Sequence, residues 1–222
     1  MNPIQLHTDY AVRCVVNSHQ LPWLESPSPL VLRRMLERDG GEVARATSVV
    51  RYEPGARFET HTHALGEEIL VLEGGFGDGQ GNYGPGCYIR NPPDSRHAPF
   101  SSVGCTMFVK LRQLDPRETQ RVVIDTGRAA WVAGRVPGLT VLPLAGFATE
   151  HTALVRWAPG TVFQAHRHFG GEEILVLEGV FSDERGDYPA GYWIRSPHLS
   201  SHRPFSREGC LIWVKTGHLP PH

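Results

Sequence analysis

From Thr47 onward the chain repeats itself at a constant shift of 105 residues, without insertion or deletion, as far as Lys110 and Lys215. A duplication of that length means two copies of one folding unit rather than a solenoid of short repeats. Thr47-x-x-Val50-Arg51 matches Thr152-x-x-Val155-Arg156, and Pro54-Gly55 with Phe58 matches Pro159-Gly160 with Phe163. Gly81-x-Tyr83-x-x-Gly86 matches Gly186-x-Tyr188-x-x-Gly191, and Ile89-Arg90-x-Pro92 matches Ile194-Arg195-x-Pro197. Each copy is a series of short apolar, β-prone runs separated by Gly and Pro, with no extended helical periodicity, so the fold class is all-β, a sandwich or barrel in each copy.

The segments outside the repeat are short. Residues 1–30 read as a lead-in with a strand candidate over 11–16 and prolines at 22, 27 and 29. Two more strands are predicted over 30–36 and 43–52, joined at Asp39-Gly40-Gly41. Between the copies, a strand over 121–124 precedes a Gly- and Pro-containing stretch. The boundary is placed near Pro116, giving an N-terminal barrel over 1–115 with its lead-in strand and a C-terminal barrel over 116–222.

Each copy carries the same set of potential metal ligands. His61-x-His63 and His166-x-His168 place two imidazoles on one face of an extended strand, because side chains two apart point the same way. A carboxylate follows a Gly-containing bend in each copy, Glu67 or Glu68 and Glu172 or Glu173. His97 and His202, after Pro-containing turns, can return as further ligands from a neighbouring strand. Imidazole and carboxylate suit a divalent transition metal.

Charge and targeting signals exclude several function classes. The formal net charge is -1 with no basic block, which argues against direct binding to nucleic acid. The start of the chain lacks a cationic region followed by an apolar core, and no apolar run is long enough to cross a bilayer, so the expected location is cytoplasmic and no membrane partner is expected. The four cysteines form no C-x-x-C pair. Cys105 and Cys210 precede apolar runs and read as small buried thiols. The only lysines, Lys110 and Lys215, share one repeat position and read as strand-end charges paired with carboxylates such as Asp78 and Asp183, or else as groups in a barrel mouth. Repeated aromatics such as Phe58, Phe76 and Tyr83 read as core.

Gly55-(x)5-His61-x-His63-(x)3-Glu67-(x)6-Gly74 resembles the first motif of the cupin superfamily, and Gly86-(x)5-Pro92-x-Asp94-x-x-His97 resembles the second. Both recur, from Gly160 to Gly179 and from Gly191 to His202. Asp94 and Leu199 stand where the pattern usually has Gly. The resemblance implies a bicupin, two tandem double-stranded β-helix barrels. It implies metal ligands His61, His63, Glu67 and His97 in one and His166, His168, Glu172 and His202 in the other.

The runs from Gly66 to Gly74 and from Ser95 to Ser101 are similar to the cupin domain of ChrR-type zinc-dependent anti-sigma factors. Proteins of that type also carry an N-terminal helical, zinc-holding module that grips the sigma factor, and the lead-in here does not resemble it. The resemblance implies zinc, up to two per chain, a small-molecule ligand in the barrel, and a sensor or regulatory role in transcription control exercised through a protein partner. A homodimer is an assembly open to it. An alternative from the wider superfamily is a dioxygenase using iron, manganese or nickel to cleave a small diketone or hydroxyaryl ketone. In that case Glu68 and Glu173 are candidate proton carriers, and Arg90 and Arg195 candidate carboxylate clamps.

Overall fold

A computed structural model describes residues 4–220. Among them the only helical turn is the short 3-10 segment Ser18–Gln20, and the remainder is strands and turns. No helix is long and apolar enough to cross a membrane. The chain divides into two compact units.

In the first unit the main sheet runs, in spatial order, Ile4–Leu6, Val31–Gly40, Ala44–Tyr52, Cys105–Leu111, Glu67–Gly74, Cys87–Asn91 and Val122–Asp125. A second layer contains the paired strands His61–His63 and Ser95–His97, and the pair Phe76–Gly77 with Asn82–Tyr83. The second unit repeats this plan. Its sheet runs Val132–Ala133, Leu139–Phe147, Glu150–Trp157, Cys210–Thr216, Glu172–Asp183, Tyr192–Ser196 and Cys14–Asn17. Its facing pair is His166–Arg167 with Ser201–His202.

Strand alternation sorts the side chains. Glu67, Ile69 and Val71 share one face of their strand, and Ile69 and Val71 join Tyr52, Ile89, Met107 and Val109 in the barrel core. Ile174, Val176, Ile194 and Ile212 do the same in the second unit. Glu68 and Leu70, beside Arg90 and Tyr88 in register, lie on the opposite face and are also buried.

The units depart from a simple division at residue 116. Asp9–Gln20 packs in the second unit with Ala129 onward, while the first unit takes the residues before Asp9 together with Leu21–Arg128. The reason is edge pairing. Val122–Asp125 hydrogen-bonds to Cys87–Asn91, and Cys14–Asn17 hydrogen-bonds to Tyr192–Ser196, so each unit's outer strand comes from a segment beyond its own repeat. Local sequence contains the strand signal but not the identity of its partner.

Two glycines explain the fixed motif lengths. Gly74 and Gly179 have φ of 74° and 68°, and a Cβ at either would sit 2.1 Å from the carbonyl oxygen of Gly104 or Gly209. No other residue allows that approach. All four cysteines are free and buried, as expected of Cys105 and Cys210.

Candidate metal centres

The hairpin between each His pair and its glutamate is set by local hydrogen bonds. The Gly66 N–H donates to the His63 carbonyl at 3.0 Å, and Gly171 donates to His168 at 3.1 Å, turning the chain before the glutamate strand. The same two carbonyls accept the N–H of Asp94 and Leu199, both at 2.9 Å, which ties the first motif to the second. Asp94 and Leu199 have φ of 63° and 61°. The left-handed backbone there explains why glycine is the usual residue, and Leu199 holds it at a steric cost of about 1–2 kcal/mol.

His97 faces His61 across one strand pair and His202 faces His166 across the other. In the second unit one ligand atom from each of His166, His168, Glu172 and His202 lies within 4.8 Å of all the others. Glu172 Oε2 is 3.5 Å from His168 Nε2 and 3.5 Å from His202 Nε2. All three of these atoms are buried and have no hydrogen-bond partner among the described residues. Three buried polar atoms that converge without a hydrogen-bond partner are an arrangement a cation satisfies, because leaving such groups unpaired is costly.

The first unit differs. His61, His63 and His97 form the corresponding group. Glu67 Oε2 is near His63 Nε2 at 3.6 Å and His97 Nε2 at 3.4 Å, but it also accepts a hydrogen bond from Asn91 Nδ2 at 3.1 Å. His63 Nε2 and His97 Nε2 are 2.8 Å apart. Ser196 occupies the position of Asn91 in the second unit. His61, His63, Glu67, Tyr52, Phe58, Phe76 and Met107 line a cavity of about 310 Å³, so Phe58 and Phe76 serve cavity as well as core.

Electrostatics keep His63 and His168 in the metal-binding form. Burial, then the neighbouring His61, lowers His63 to about 4, and burial with His202 and His166 lowers His168 to about 3. The contacts of these imidazoles with glutamate are therefore not ion pairs. Burial raises Glu67, and raises Glu172 to about 7. Neutral imidazoles are ready ligands, whereas the Glu172 carboxyl must lose a proton to bind below about pH 7.

Behind each centre stands an aspartate whose place in the site the sequence reading missed. Asp78 Oδ2 lies 3.8 Å from His97 Nδ1, and Asp183 Oδ2 lies 3.6 Å from His202 Nδ1. Each is fixed by a tyrosine hydroxyl, Tyr83 at 3.1 Å or Tyr188 at 3.0 Å, and by an arginine, Arg121 at 2.6 Å or Arg13 at 3.0 Å. Burial pushes Asp183 up, but His202, the Arg185 N–H, Tyr188 and Arg13 outweigh it and hold the carboxyl at about 2. Such carboxylates orient ligating imidazoles. The recurrence of Asp and Tyr at 78, 83, 183 and 188 was the available signal, since those aspartates had instead been offered to the lysines. Lys110 donates to Thr47 Oγ1 at 2.9 Å and Lys215 pairs with Glu150 at 2.9 Å.

The structure does not bring Glu68, Arg90, Glu173 and Arg195 to the histidines. Strand alternation puts Glu68 and Glu173 across the sheet from Glu67 and Glu172. Glu68 accepts from Tyr88 at 2.5 Å, and Arg90 clasps Glu118 at 2.9 and 2.6 Å. Glu173 accepts from Trp193 Nε1 at 2.8 Å and pairs with His218 at 3.0 Å. Arg195 donates to the Asp9 carbonyl at 2.9 Å and lies over Tyr10.

Residues 11–115 and 119–220 each match the ChrR Cupin-like domain. The chain belongs to that family. The family repeats begin at the two segments, near residues 11 and 119, that supply the outer strands described above, so each repeat of this bicupin completes the sheet of the other unit. No curated protein matches it in sequence. Among solved structures it is similar to a candidate dioxygenase from Nostoc punctiforme PCC 73102, with 13% identity, a TM-score of 0.77, and coverage of 100% of this chain and 89% of that one. It is similar to YlbA from E. coli, with 12% identity, a TM-score of 0.73, and coverage of 99% and 96%. It is also similar to oxalate decarboxylase from Bacillus subtilis, with 13% identity, a TM-score of 0.61, and coverage of 91% and 75%. At these identities the likeness is one of fold.

Proposed function

We propose that this bicupin holds a divalent metal in each unit, that the first unit receives a small molecule beside its metal, and that the second keeps zinc as a closed centre. Ligand occupancy is then passed to a regulatory protein partner. The observation that carries this reading is the cavity: His61, His63 and Glu67 are part of its wall. In the second unit the two 3.5 Å separations around Glu172 Oε2 suit tetrahedral zinc. Bonds of about 2.1 Å at tetrahedral angles place neighbouring ligand atoms about 3.4 Å apart. Four protein ligands leave such an ion no vacant position.

In the first unit the metal would be held by His61, His63, His97 and Glu67 and would act as a Lewis acid on an oxygen-bearing ligand. The protein's own part is to hold the His63 imidazole neutral, to steer Glu67 through Asn91, and to exclude water with the apolar wall. Membership of the ChrR cupin-like family supports a response to a small molecule or oxidative stress in transcription control. The burial of the cysteines favours a response at the metal over one at a thiol.

The cavity beside the first histidine cluster also favours a second reading, a dioxygenase using iron, manganese or nickel, metals that accept more than four ligands. Glu68 and Arg90 would not handle substrate in it, since they face away.

Elemental analysis of protein purified without chelator or affinity metal, from cells supplied with several transition metals, tests both. Two zinc ions per chain are expected for the regulatory reading. Iron, manganese or nickel in the first unit, with oxygen consumed on addition of a small diketone, would replace it with the enzyme reading, and absence of metal would remove both.

A further inference from the structure

The first cavity carries two guanidinium groups at positions where the second unit has uncharged residues. Arg33 faces Val50 across the strand pair, and the β-bulge between Met35 and Glu37 shifts the alternation so that Arg38, facing Ala46, points to the same side. Both side chains line the cavity together with Val31, Val50, Val109 and Leu111. In the second unit the equivalent register positions are Val141, facing Val155, and Gly146, facing His151. The same strand and bulge are present there without either charge. The pair therefore serves something particular to the first barrel rather than the fold.

A carboxylate of the chain itself occupies the pair. Glu42, on the turn after this strand, accepts from Arg33 Nη1 and Nη2 at 3.0 and 3.1 Å, and lies 3.8 Å from Arg38 Nη2. Arg38 is buried and Arg33 half-buried, with side-chain exposures of 4% and 14%, while the Glu42 side chain is 40% exposed. The buried Arg33 Nε has no hydrogen-bond partner among the described residues. Arg38 Nη2 also donates to the Gly41 and Glu42 carbonyls, so one buried and one half-buried cation share a single half-solvated carboxylate on a surface turn. Burial, then the Arg33 charge, lowers the Arg38 pKa against the opposing pull of Glu42.

We infer that the first barrel binds a small carboxylic acid with an apolar body, its carboxylate taken by Arg33 and Arg38 in exchange for Glu42. Forked guanidinium donors recognise a planar carboxylate bidentately. The aliphatic and aromatic wall receives the remainder of the molecule, which reaches toward the histidines. This rests on the first unit being the ligand-receiving barrel and adds the chemical class of the ligand.

Calorimetric titration of the zinc-loaded full chain with 3-phenylpropionate and octanoate, each against its neutral amide, tests the inference. The acids should bind at least about tenfold more tightly than the amides, the usual scale for a desolvated charge-assisted pair. Arg33→Met and Arg38→Met should each remove that preference while leaving the amide affinity and the zinc content unchanged, with Arg33→Lys in between. Glu42→Gln should tighten the acids several-fold by removing their competitor. Failure of both acids to bind, equal binding of acid and amide, acid affinity indifferent to both arginine variants, or no gain in Glu42→Gln would each overturn it. Melting curves of the variants exclude misfolding as the cause. Equal binding with zinc in both units strikes this inference alone, whereas arginine-dependent acid binding without metal in the first unit supports it and strikes the metal reading.

Discussion

The two barrels have the same strands, the same three histidines and the same supporting Asp–Tyr–Arg set, yet their centres differ. In the second, Glu172 points Oε2 at two imidazoles, and no other group among the described residues hydrogen-bonds to it. In the first, Asn91 holds Glu67, two imidazole nitrogens approach to 2.8 Å, and a cavity opens alongside. A single residue exchange, Asn91 for Ser196, accompanies the difference at the glutamate, and the loss of Arg33 and Arg38 accompanies it at the opposite strand. Duplication has kept the ligands and varied what surrounds them.

The largest expected effect comes from removing a ligand of the closed centre. His168→Ala should lose one metal per chain and destabilise the second unit by several kcal/mol, because metal affinity is part of the folding free energy of a site with no open position. His63→Ala should also lose one metal but lower the melting transition far less. Calorimetric melting with metal analysis separates the two, and equal destabilisation would erase the proposed division between the barrels.

Next in size is the arginine behind each aspartate. Arg13→Ala leaves buried Asp183 without its cation and frees His202 to reorient, so zinc affinity of the second unit should fall about 10–100-fold. Arg121→Ala should do the same to the first. Competition with a chromophoric chelator reads both, and an effect of Arg13→Ala on the first unit alone would contradict the pairing of Arg13 with Asp183.

Metal uptake should depend on pH in a defined window. Glu172, raised to about 7 in the metal-free fold, must lose its proton to bind, so affinity in the second unit should fall about tenfold per pH unit below that value and level off above it. His168, lowered to about 3, adds nothing in this range. The raised carboxyl also means that its contribution to metal-free stability is complete below its ordinary value of 4.5 and is lost as pH rises through about 7. Zinc titrations at pH 6 and 8 in buffers of different ionisation enthalpy would show proton release only at the lower pH.

Smaller changes should exchange the characters of the centres. Asn91→Ser should release Glu67 and tighten zinc binding in the first unit by a few-fold, on the scale of one hydrogen bond, and Ser196→Asn should loosen the second by a similar factor. Smallest of all, Leu199→Gly should relieve the left-handed strain at that turn and raise stability by up to about 1 kcal/mol, measured by denaturant unfolding.

Much of the centre was legible because its signal is local. His61, His63 and Glu67 lie within seven consecutive residues, and the register of the repeat supplied His97 and His202. Glu67 could be separated from Glu68 only through the motif, and strand alternation then gives the physical ground: the neighbour turns to the other face. Arg90 and Arg195 were misplaced for the same reason, because their strands bury both faces and composition does not say which face meets the ligand. Arg33 and Arg38 were invisible as a pair, since their spacing of five residues fits one face of a strand only when a bulge intervenes.

The sequence by itself determined the all-β duplicated architecture and the ligand types of each centre, because β-periodicity, turn residues and metal-ligand spacing act over a few residues. Tertiary structure alone decided that residues 14–17 complete the second sheet and residues 122–125 the first, which aspartate steadies which histidine, and which barrel holds a charged cavity. Those outcomes depend on edge pairing, a bulge and burial, which arise between segments far apart in the chain.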